Sequence, residues 1–364
     1  MIPFATRALR RLVRRPAQRP SPRHRSVHEG LPDGLDFETV NQICQHQFGE
    51  RLETVSHVHL SGWKTSGAFR LRLGMSGRCH HTVIYKNAVY RLEEIPAVDG
   101  LPVRPGPPEY IVYRQGSGSF SDYLPAVYYC EEVVPGQHYR YLLEDVNTVY
   151  HPLSYRSPKI VNIAAGLPAL HETMRRWAQD IGTDGLLKYG SAFSSALAVY
   201  VQTQLGRYQQ VIKSSDVEQV LKNWRAISTI HLSPDFIVPD LLQPIHADYS
   251  PANIYVSKRI PIKILDWEWA GIGLPHADLA SLLKRANPEL EQKAFAAYSQ
   301  QDRRLSGHEH HRWYEWCQLE RGLLDAGYLA KQYLDTDQPA QKIPHYIEKS
   351  LQRALRAFKT LTNA

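Results

Sequence analysis

The sequence has few cysteines and no long apolar run. Its four cysteines, Cys44, Cys79, Cys130 and Cys317, lie far apart and form no CxxC pair. A disulfide framework or a zinc site built on cysteine spacing is therefore not expected, and a reducing compartment is favoured. No stretch approaches the roughly 18 consecutive apolar residues of a membrane span, which argues against an integral membrane protein.

What is present suits a globular protein with two lobes. The chain has 364 residues, of which 43% are hydrophobic and 22% are charged. This length exceeds what one ordinary domain needs. The composition is typical of neither a disordered nor a fibrous protein. We therefore expect ample chain for a buried core.

The positive charge is concentrated in an N-terminal leader. Residues 1–28 hold eight arginines and no acidic residue, and removing these eight from the formal charge of +7 leaves −1 for the rest. This pattern is typical of an organelle-targeting presequence, a disordered basic tail, or a surface for anionic lipid or RNA. We expect a cytoplasmic protein, or a mitochondrial one if residues 1–28 are a presequence. Nucleic-acid binding is expected at most of this leader.

Hydrophobic periodicity divides the rest into a β-rich half and a helical half. A helix is predicted over Leu35–Phe48, and a short one from Glu109 to Gln115. The predicted strands are Thr54–Leu60, Ala68–Leu73, Thr82–Lys86, Ala126–Val133 and Tyr141–Val146. The long helices are predicted over Ile160–Asp180, Ser191–Lys213 and Asp216–Ser228, with others after Pro288. We expect an α+β, bilobal plan with a small β-rich N-lobe (29–146) and a larger, mostly helical C-lobe (147–364).

One island of short strands interrupts the helical half and carries two acids. The runs Ile254–Val256 and Ile262–Leu265 predict a hairpin, with Asp248 and Asp266 at strand edges and Asn253 where the first strand begins. Carboxylate and amide oxygens are the ligands that Mg²⁺ takes together with phosphate oxygens. Grouping acids is unfavourable unless a cation or a shared proton compensates. The island therefore predicts a metal site.

The same island resembles a known catalytic core. Its motifs are His246-x-Asp248-x4-Asn253 and Leu265-Asp266-Trp267-Glu268-x2-Gly271-x3-Pro275-x2-Asp278-Leu279-Ala280. They are similar to those of the aminoglycoside phosphotransferase family, a branch of the protein-kinase-like superfamily that includes choline kinase-like small-molecule kinases. The resemblance implies a protein-kinase-like fold. It also implies transfer of the γ-phosphate of ATP (or GTP) to a hydroxyl of a small molecule, with Mg²⁺.

The resemblance gives each motif residue a role. Asp248 would be the base that accepts the proton of the acceptor hydroxyl, and Asn253 and Asp266 would hold Mg²⁺. His246 would brace the catalytic loop. Glu268 would touch a metal-bound water or the acceptor. Asp278 would anchor the loop to the next helix.

The N-lobe should supply a lysine for the nucleotide phosphates. Lys86 ends the strand Thr82–Lys86 and is the candidate, because a strand holds the side chain in place; Lys64 is the competitor in a loop. A glutamate should pair with this lysine. Glu109 is favoured, with Glu93 and Glu94 as alternatives.

Two more segments would contact the nucleotide. Ser61, Gly62 and Ser66 belong to a loop that departs from GxGxxG but could cradle phosphates through backbone N–H and hydroxyl groups. Glu144 and Val146 fall where the hinge between the lobes is expected, and their backbone would bind adenine.

The acceptor stays open at this point. Glu315, Trp316 and Glu320 are candidates for its pocket, since the family builds it from late helices and aromatic–acid mixtures suit an amine. An antibiotic, an amino alcohol, a sugar or a related metabolite all fit the core. A catalytically silent kinase-like nucleotide-binding or scaffold protein is the alternative. The run His308–His311 is predicted to be a solvated loop.

Overall fold

A computed structural model describes residues 27–60, 66–77, 80–89, 108–116, 118–236, 238–257, 262–336 and 339–363. The chain forms two compact units that divide between Val83 and Ile84. The leader therefore lies outside the described residues, apart from its last two. The lobe boundary predicted at residue 146 is a different division and stays a prediction.

The first unit contains antiparallel strands and one helix. Its elements are β1 (Val27–Glu29), α1 (Phe37–Phe48), β2 (Leu52–Leu60), β3 (Ser66–Met75) and the start of β4 (His80–Val89). β2 pairs antiparallel with both β1 and β3. α1 begins after Asp36, whose carboxylate accepts a hydrogen bond from the Thr39 N–H at 2.7 Å. It ends at Gly49, whose φ of 71° favours glycine.

The second unit begins with the rest of β4 and carries several short strands. After α2 (Pro108–Gln115) come the antiparallel pair β5 (Val127–Val134) and β6 (His138–Glu144). The short strands are β7 (His151–Pro152), β8 (Leu187–Lys188), β9 (Gln243–Ile245), β10 (Ile254–Val256), β11 (Lys263–Ile264) and β12 (Gly271–Gly273). β10 and β11 pair antiparallel with Ile254 opposite Ile264, which confirms the predicted hairpin.

Within the residues that the structure describes, eight further helices belong to the second unit. They are α3 (Lys159–Ile181), α4 (Ser191–Val211), α5 (Ser215–Lys222), α6 (Trp224–His231), α7 (His276–Leu283), α8 (Pro288–Gln301), α9 (Gly307–Leu334) and α10 (Ile343–Asn363). β-sheet in the N-terminal region and mostly helix in the C-terminal region confirm the predicted α+β class.

Two apolar clusters hold this unit together, and α9 contributes to both. One cluster lies under the β10–β11 hairpin and includes the fully buried Ile254, Ile264 and Trp267. The other joins α4, α5 and α6 to α9 and α10. Along α9, Trp316 belongs to the first cluster and Leu319 to the second. This double packing fixes the face of α9 that lies near the hairpin.

Two local predictions were wrong. The helix predicted over Asp216–Ser228 is two helices, α5 and α6, which meet at Asn223 with φ −94° and ψ 9°. The run His308–His311 lies in the first turns of α9, where Ser306 and Glu309 form a capping box and His310 is fully buried. The Ser-x-x-Glu spacing is the signal that indicates a helix start here.

Among the described residues, no helix is both long and apolar enough to cross a membrane.

Candidate active site

The loop between β9 and β10, residues 246–253, is the candidate catalytic loop, and His246 braces it. Its Nδ1 accepts a hydrogen bond from the Asp248 N–H at 3.2 Å, and its Nε2 donates to the carbonyl of Leu265 at 2.9 Å. Burial lowers the pKa of His246, so the ring is neutral in this arrangement. The ring therefore links Leu265, which precedes the candidate aspartate Asp266, to the loop that carries the other candidate, Asp248.

Asp278 anchors the loop from helix α7. Its carboxylate accepts hydrogen bonds from the backbone N–H of His246 (2.9 Å) and of Ala247 (2.7 Å). His171 of α3 lies 2.9 Å from the same carboxylate. Ala247 has a φ of 62°, an unfavourable conformation for a residue with a Cβ, so the two backbone contacts hold a strained turn.

Asp248 stands at the centre of a set of hydrogen bonds and ion pairs. Its Oδ2 accepts from the amide nitrogen of Asn253 at 3.0 Å. Its Oδ1 lies 2.8 Å from Nη2 of Arg321 and 3.6 Å from Nζ of Lys284. The Ser281 hydroxyl is 3.4 Å from the same oxygen. The carboxylate is thus oriented by groups from α7 and α9.

The charges around Asp248 keep it ionised. Burial by itself would raise the pKa of Asp248, but the cations Arg321 and Lys284 outweigh burial, and the net pKa is lowered. Arg321 also donates to the Ala247 carbonyl at 2.7 Å. A carboxylate that is already ionised and held in place can accept a proton from a hydroxyl.

Lys86 joins two carboxylates. Its Nζ lies 2.6 Å from Oε2 of Glu109 and 3.0 Å from Oε1 of Glu268. Glu109 is only 1% exposed and Lys86 14% exposed, so this contact is shielded from solvent. The structure thus brings together the lysine and the glutamate expected to pair. Glu268 also contacts this lysine.

Asp266 lies in an acidic environment. Burial raises the pKa of Asp266 to about 7, and the charge of Lys86 only partly opposes the rise. Neighbouring carboxylates add to it: Glu268, Glu109 and Asp248. A divalent cation would reverse this balance, because it stabilises the ionised carboxylate.

The donor set fits Mg²⁺. The amide nitrogen of Asn253 donates to both the carbonyl and the carboxylate of Asp248, which leaves its oxygen as the atom for a cation. Among the described residues, no three His, Cys, Asp or Glu side chains form a metal-binding group. That is compatible with Mg²⁺, which proteins hold with one or two groups plus substrate phosphates. Asn253 and Asp266 would supply such a pair.

Several predicted nucleotide contacts fall outside what the structure describes. Ser61 and Gly62 lie outside the described residues, as do the competitors Lys64, Glu93 and Glu94, and Ser66 is described only as the first residue of β3.

The predicted hinge lies at the end of β6. Glu144 exchanges hydrogen bonds with Ala126: its N–H donates to the Ala126 carbonyl at 2.8 Å, and its side chain accepts from the Ala126 N–H at 3.0 Å. The carbonyl of the buried Val146 accepts from Tyr150 at 2.8 Å. The Glu144 N–H and the Val146 carbonyl are therefore used within the protein.

Two of the three predicted acceptor residues line a pocket beside the catalytic loop. Trp316 and Glu320 belong to its lining together with Ala247. Glu315 is not part of that lining; its carboxylate lies 3.8 Å from His311 of the same helix, and burial raises its pKa.

Sequence reasoning missed Arg321, Lys284 and His171. Arg321 is 73 residues from Asp248 along the chain, and no local pattern links the two. Lys284 immediately follows α7, so its position after the Asp278-Leu279-Ala280 motif was the available signal. For His171 the sequence offers only a place on the buried face of α3.

With this geometry defined, the fold is protein-kinase-like. The choline kinase of Cryptosporidium parvum Iowa II is 12% identical, with a TM-score of 0.60, covering 90% of this chain and 97% of that one. A spectinomycin phosphotransferase solved with ADP and spectinomycin is 12% identical, with a TM-score of 0.54, covering 89% and 99%. The GDP complex of an aminoglycoside 2'-phosphotransferase is 13% identical, with a TM-score of 0.53, covering 90% and 99%.

Residues 160–317 match the model of the phosphotransferase enzyme family, APH. The match contains the candidate catalytic loop and Asp266, and with the fold it confirms the resemblance to aminoglycoside phosphotransferases and choline kinase-like enzymes. None of the curated proteins compared with the chain matches it significantly.

Proposed function

We propose that the protein is a phosphotransferase that moves the γ-phosphate of ATP or GTP to a hydroxyl of a small molecule. The observation that carries this proposal is the grouping of Asp248, Asn253 and Asp266 next to the Lys86–Glu109 pair. The family match supports it, and so do the structural neighbours that were solved with ADP or GDP.

Asp248 is assigned as the base. The acceptor oxygen forms a bond to the γ-phosphorus while the bond from that phosphorus to the bridging β–γ oxygen breaks. The hydroxyl proton passes to Asp248, and the nucleoside diphosphate leaves with the electron pair. Asn253, Arg321 and Lys284 keep the carboxylate ionised and oriented, which contributes to the alignment that phosphoryl transfer requires.

Asn253 and Asp266 are assigned to Mg²⁺, and Lys86 to the nucleotide phosphates. When bound, Mg²⁺ would neutralise charge on the phosphate oxygens. Lys86 would be held for its task by the buried carboxylate of Glu109. For adenine, the Glu144 carbonyl and the Val146 N–H are the proposed contacts, because the other two backbone groups are engaged.

The test compares three variants that carry the same chemical change. Asp248→Asn should lower kcat by about 10²–10⁴-fold and leave nucleotide affinity within about twofold, since the base acts on the acceptor. Asp266→Asn should abolish the part of nucleotide binding that depends on Mg²⁺. Asp240→Asn, at an exposed position, is the control. Diphosphate release over a panel of alcohols measures turnover, and calorimetry with Mg²⁺ or with EDTA measures binding.

Two results would overturn these assignments. Wild-type turnover in Asp248→Asn would remove the base. Binding of Mg²⁺–nucleotide without transfer to any alcohol of the panel would favour the catalytically silent alternative instead.

A further inference from the structure

Lys86 contacts two carboxylates that come from different parts of the chain. Its Nζ lies 2.6 Å from Oε2 of Glu109, on α2, and 3.0 Å from Oε1 of Glu268, in the short turn Trp267–Trp269. Glu109 is the partner that the sequence favours. The family resemblance instead assigns Glu268 to a metal-bound water or to the acceptor, so its contact with the lysine indicates a different role.

Glu109 is the fixed partner of Lys86. Its side chain is only 1% exposed, and it also accepts a hydrogen bond from the hydroxyl of the buried Tyr113, one turn further along α2. A buried carboxylate that loses its cation is left uncompensated, which is more unfavourable than breaking an exposed pair. We therefore expect Glu109 to keep the lysine when a ligand binds.

Glu268 is the partner that can exchange. Its side chain is 23% exposed, whereas the backbone on both sides of it is held. On one side, the fully buried Trp267 donates its indole N–H to a backbone carbonyl at 3.0 Å. On the other side, the Trp269 carbonyl accepts from the Tyr189 hydroxyl at 2.6 Å. Rotation of the Glu268 side chain is therefore enough to release the lysine, because the turn itself does not have to move.

The surroundings of this pair are acidic. Asp266 interacts electrostatically with three carboxylates, those of Glu268, Glu109 and Asp248, and the cation that opposes them is Lys86. A nucleotide phosphate at Lys86 would share the ammonium group with carboxylates about 5 Å away, where like charges repel. A phosphate that arrives with Mg²⁺ brings positive charge with it, so the repulsion acts mainly on metal-free nucleotide.

We propose that Glu268 competes with nucleotide phosphates for Lys86 and thereby makes the protein select metal-complexed over metal-free nucleotide. This role rests on the proposed function, in which Lys86 binds the phosphates. It differs from contact with a metal-bound water alone, because a residue with only that contact would support binding of the Mg²⁺ complex and would leave binding of metal-free nucleotide unchanged.

The experiment measures binding, so it needs no acceptor. Calorimetry gives the Kd of ATP and of GTP, each in EDTA and in excess Mg²⁺, for the wild type and for Glu268→Gln. Because glutamine keeps the shape of the side chain and removes its charge, Glu268→Gln should tighten metal-free binding at least about tenfold and Mg²⁺-nucleotide binding at most about threefold. Glu268→Ala should give the same pattern. Glu218→Gln, the same change at an exposed position of α5, should alter neither.

A second pair of variants shows whether Lys86 is what the two anions compete for. In a Lys86→Met background, Glu268→Gln should tighten metal-free binding less than about threefold, because the contact that it removes no longer exists. An undiminished gain in that background would mean that Glu268 repels phosphates without acting through the lysine, and would overturn the competition.

The remaining outcomes separate this role from the proposed function. Weaker Mg²⁺-nucleotide binding with unchanged metal-free binding in Glu268→Gln would assign Glu268 to a metal-bound water, which overturns the competition and keeps the phosphotransferase. Equal gains in EDTA and in Mg²⁺ would overturn the selection between the two forms. No binding of either nucleotide to the wild type would overturn the nucleotide site itself, and the competition with it.

Discussion

The two aspartates of the hairpin motif occupy opposite electrostatic environments. Asp248 faces Arg321 and Lys284, and its pKa is lowered although burial alone would raise it. Asp266 is equally buried but faces more carboxylates than cations, and burial raises its pKa to about 7. Eighteen residues apart in the sequence, they are prepared for different partners. The charge of Asp248 is balanced by cations of the protein, whereas balancing the charge of Asp266 requires a cation from outside the protein.

This difference suits Asp248 and Asp266 to different roles in the proposed reaction. The Asp266 side would be completed by Mg²⁺ and nucleotide, so its acidic excess is relieved only in the complex. On the other side, Asp248 already faces the cations Arg321 and Lys284 before anything binds. The comparison can be tested by changing one side at a time.

The largest expected effect is kinetic. Arg321→Met should lower kcat about 100-fold with the nucleotide KM unchanged, because Asp248 loses its orienting partner. Lys86→Met should raise the nucleotide KM about tenfold and leave the acceptor KM within twofold, because Lys86 belongs to the other side. Steady-state kinetics with each substrate varied would show this, with Lys213→Met as an exposed control. A matching change in both KM values for either variant would contradict the division.

The next effect is on stability and should differ in sign. In EDTA without nucleotide, Asp248→Asn should lower the free energy of unfolding by about 2 kcal/mol, because it removes the carboxylate that Arg321 and Lys284 face at a site only 23% exposed. Asp266→Asn should leave that free energy unchanged or raise it, since it removes a charge from an acidic group. Urea unfolding measures both, with Asp240→Asn as the matched control. Destabilisation of the same size in both variants would break the comparison.

The smallest effect concerns a buried pair with no counter-charge between its members. Nε2 of His276 lies 3.0 Å from Nδ1 of His310, and burial lowers the pKa of His276 to about 3. His310, His171 and Arg304 lower the pKa of His276 further, and Asp302 opposes this shift. Because the pKa of His276 in the folded protein lies below the unfolded value of about 6.5, the unfolded chain binds a proton at this histidine as the pH falls, whereas the folded protein does not.

Stability should therefore be complete above pH 7 and should fall as the solution is acidified. For one such histidine the loss between pH 7 and pH 5.5 is about 1 kcal/mol. His276→Gln should flatten that slope, whatever its effect on the absolute stability, and His46→Gln at an exposed position should not. Unfolding free energies at four pH values would decide it; an unchanged slope in His276→Gln would assign the acid loss to other groups.

Local patterns predicted the parts of the site that local chain geometry creates. Ile254–Val256 and its partner form the expected hairpin, and Glu109 lies on the short helix expected to carry it. Such features depend on hydrophobic period and turn spacing, which a sequence displays directly.

Contacts between distant segments could not be predicted in this way. Arg321 reaches Asp248 only because α9 packs on two clusters at once, and helical period says which face is buried but not what it meets. The break at Asn223 escaped for a related reason: the apolar period continues across it, and tertiary packing decides that α5 and α6 separate.

The left-handed turn at Ala247 has a consequence for how this motif can be transplanted. The conformation is unfavourable by about 1–2 kcal/mol for a residue other than glycine. Contacts that offset this cost come from Asp278 on α7, thirty-one residues downstream of Ala247, and from Arg321 on α9. The conformation of the loop thus depends on contacts from outside the loop. A peptide or graft that copies only residues 246–253 would contain the functional side chains but not the contacts that hold their conformation.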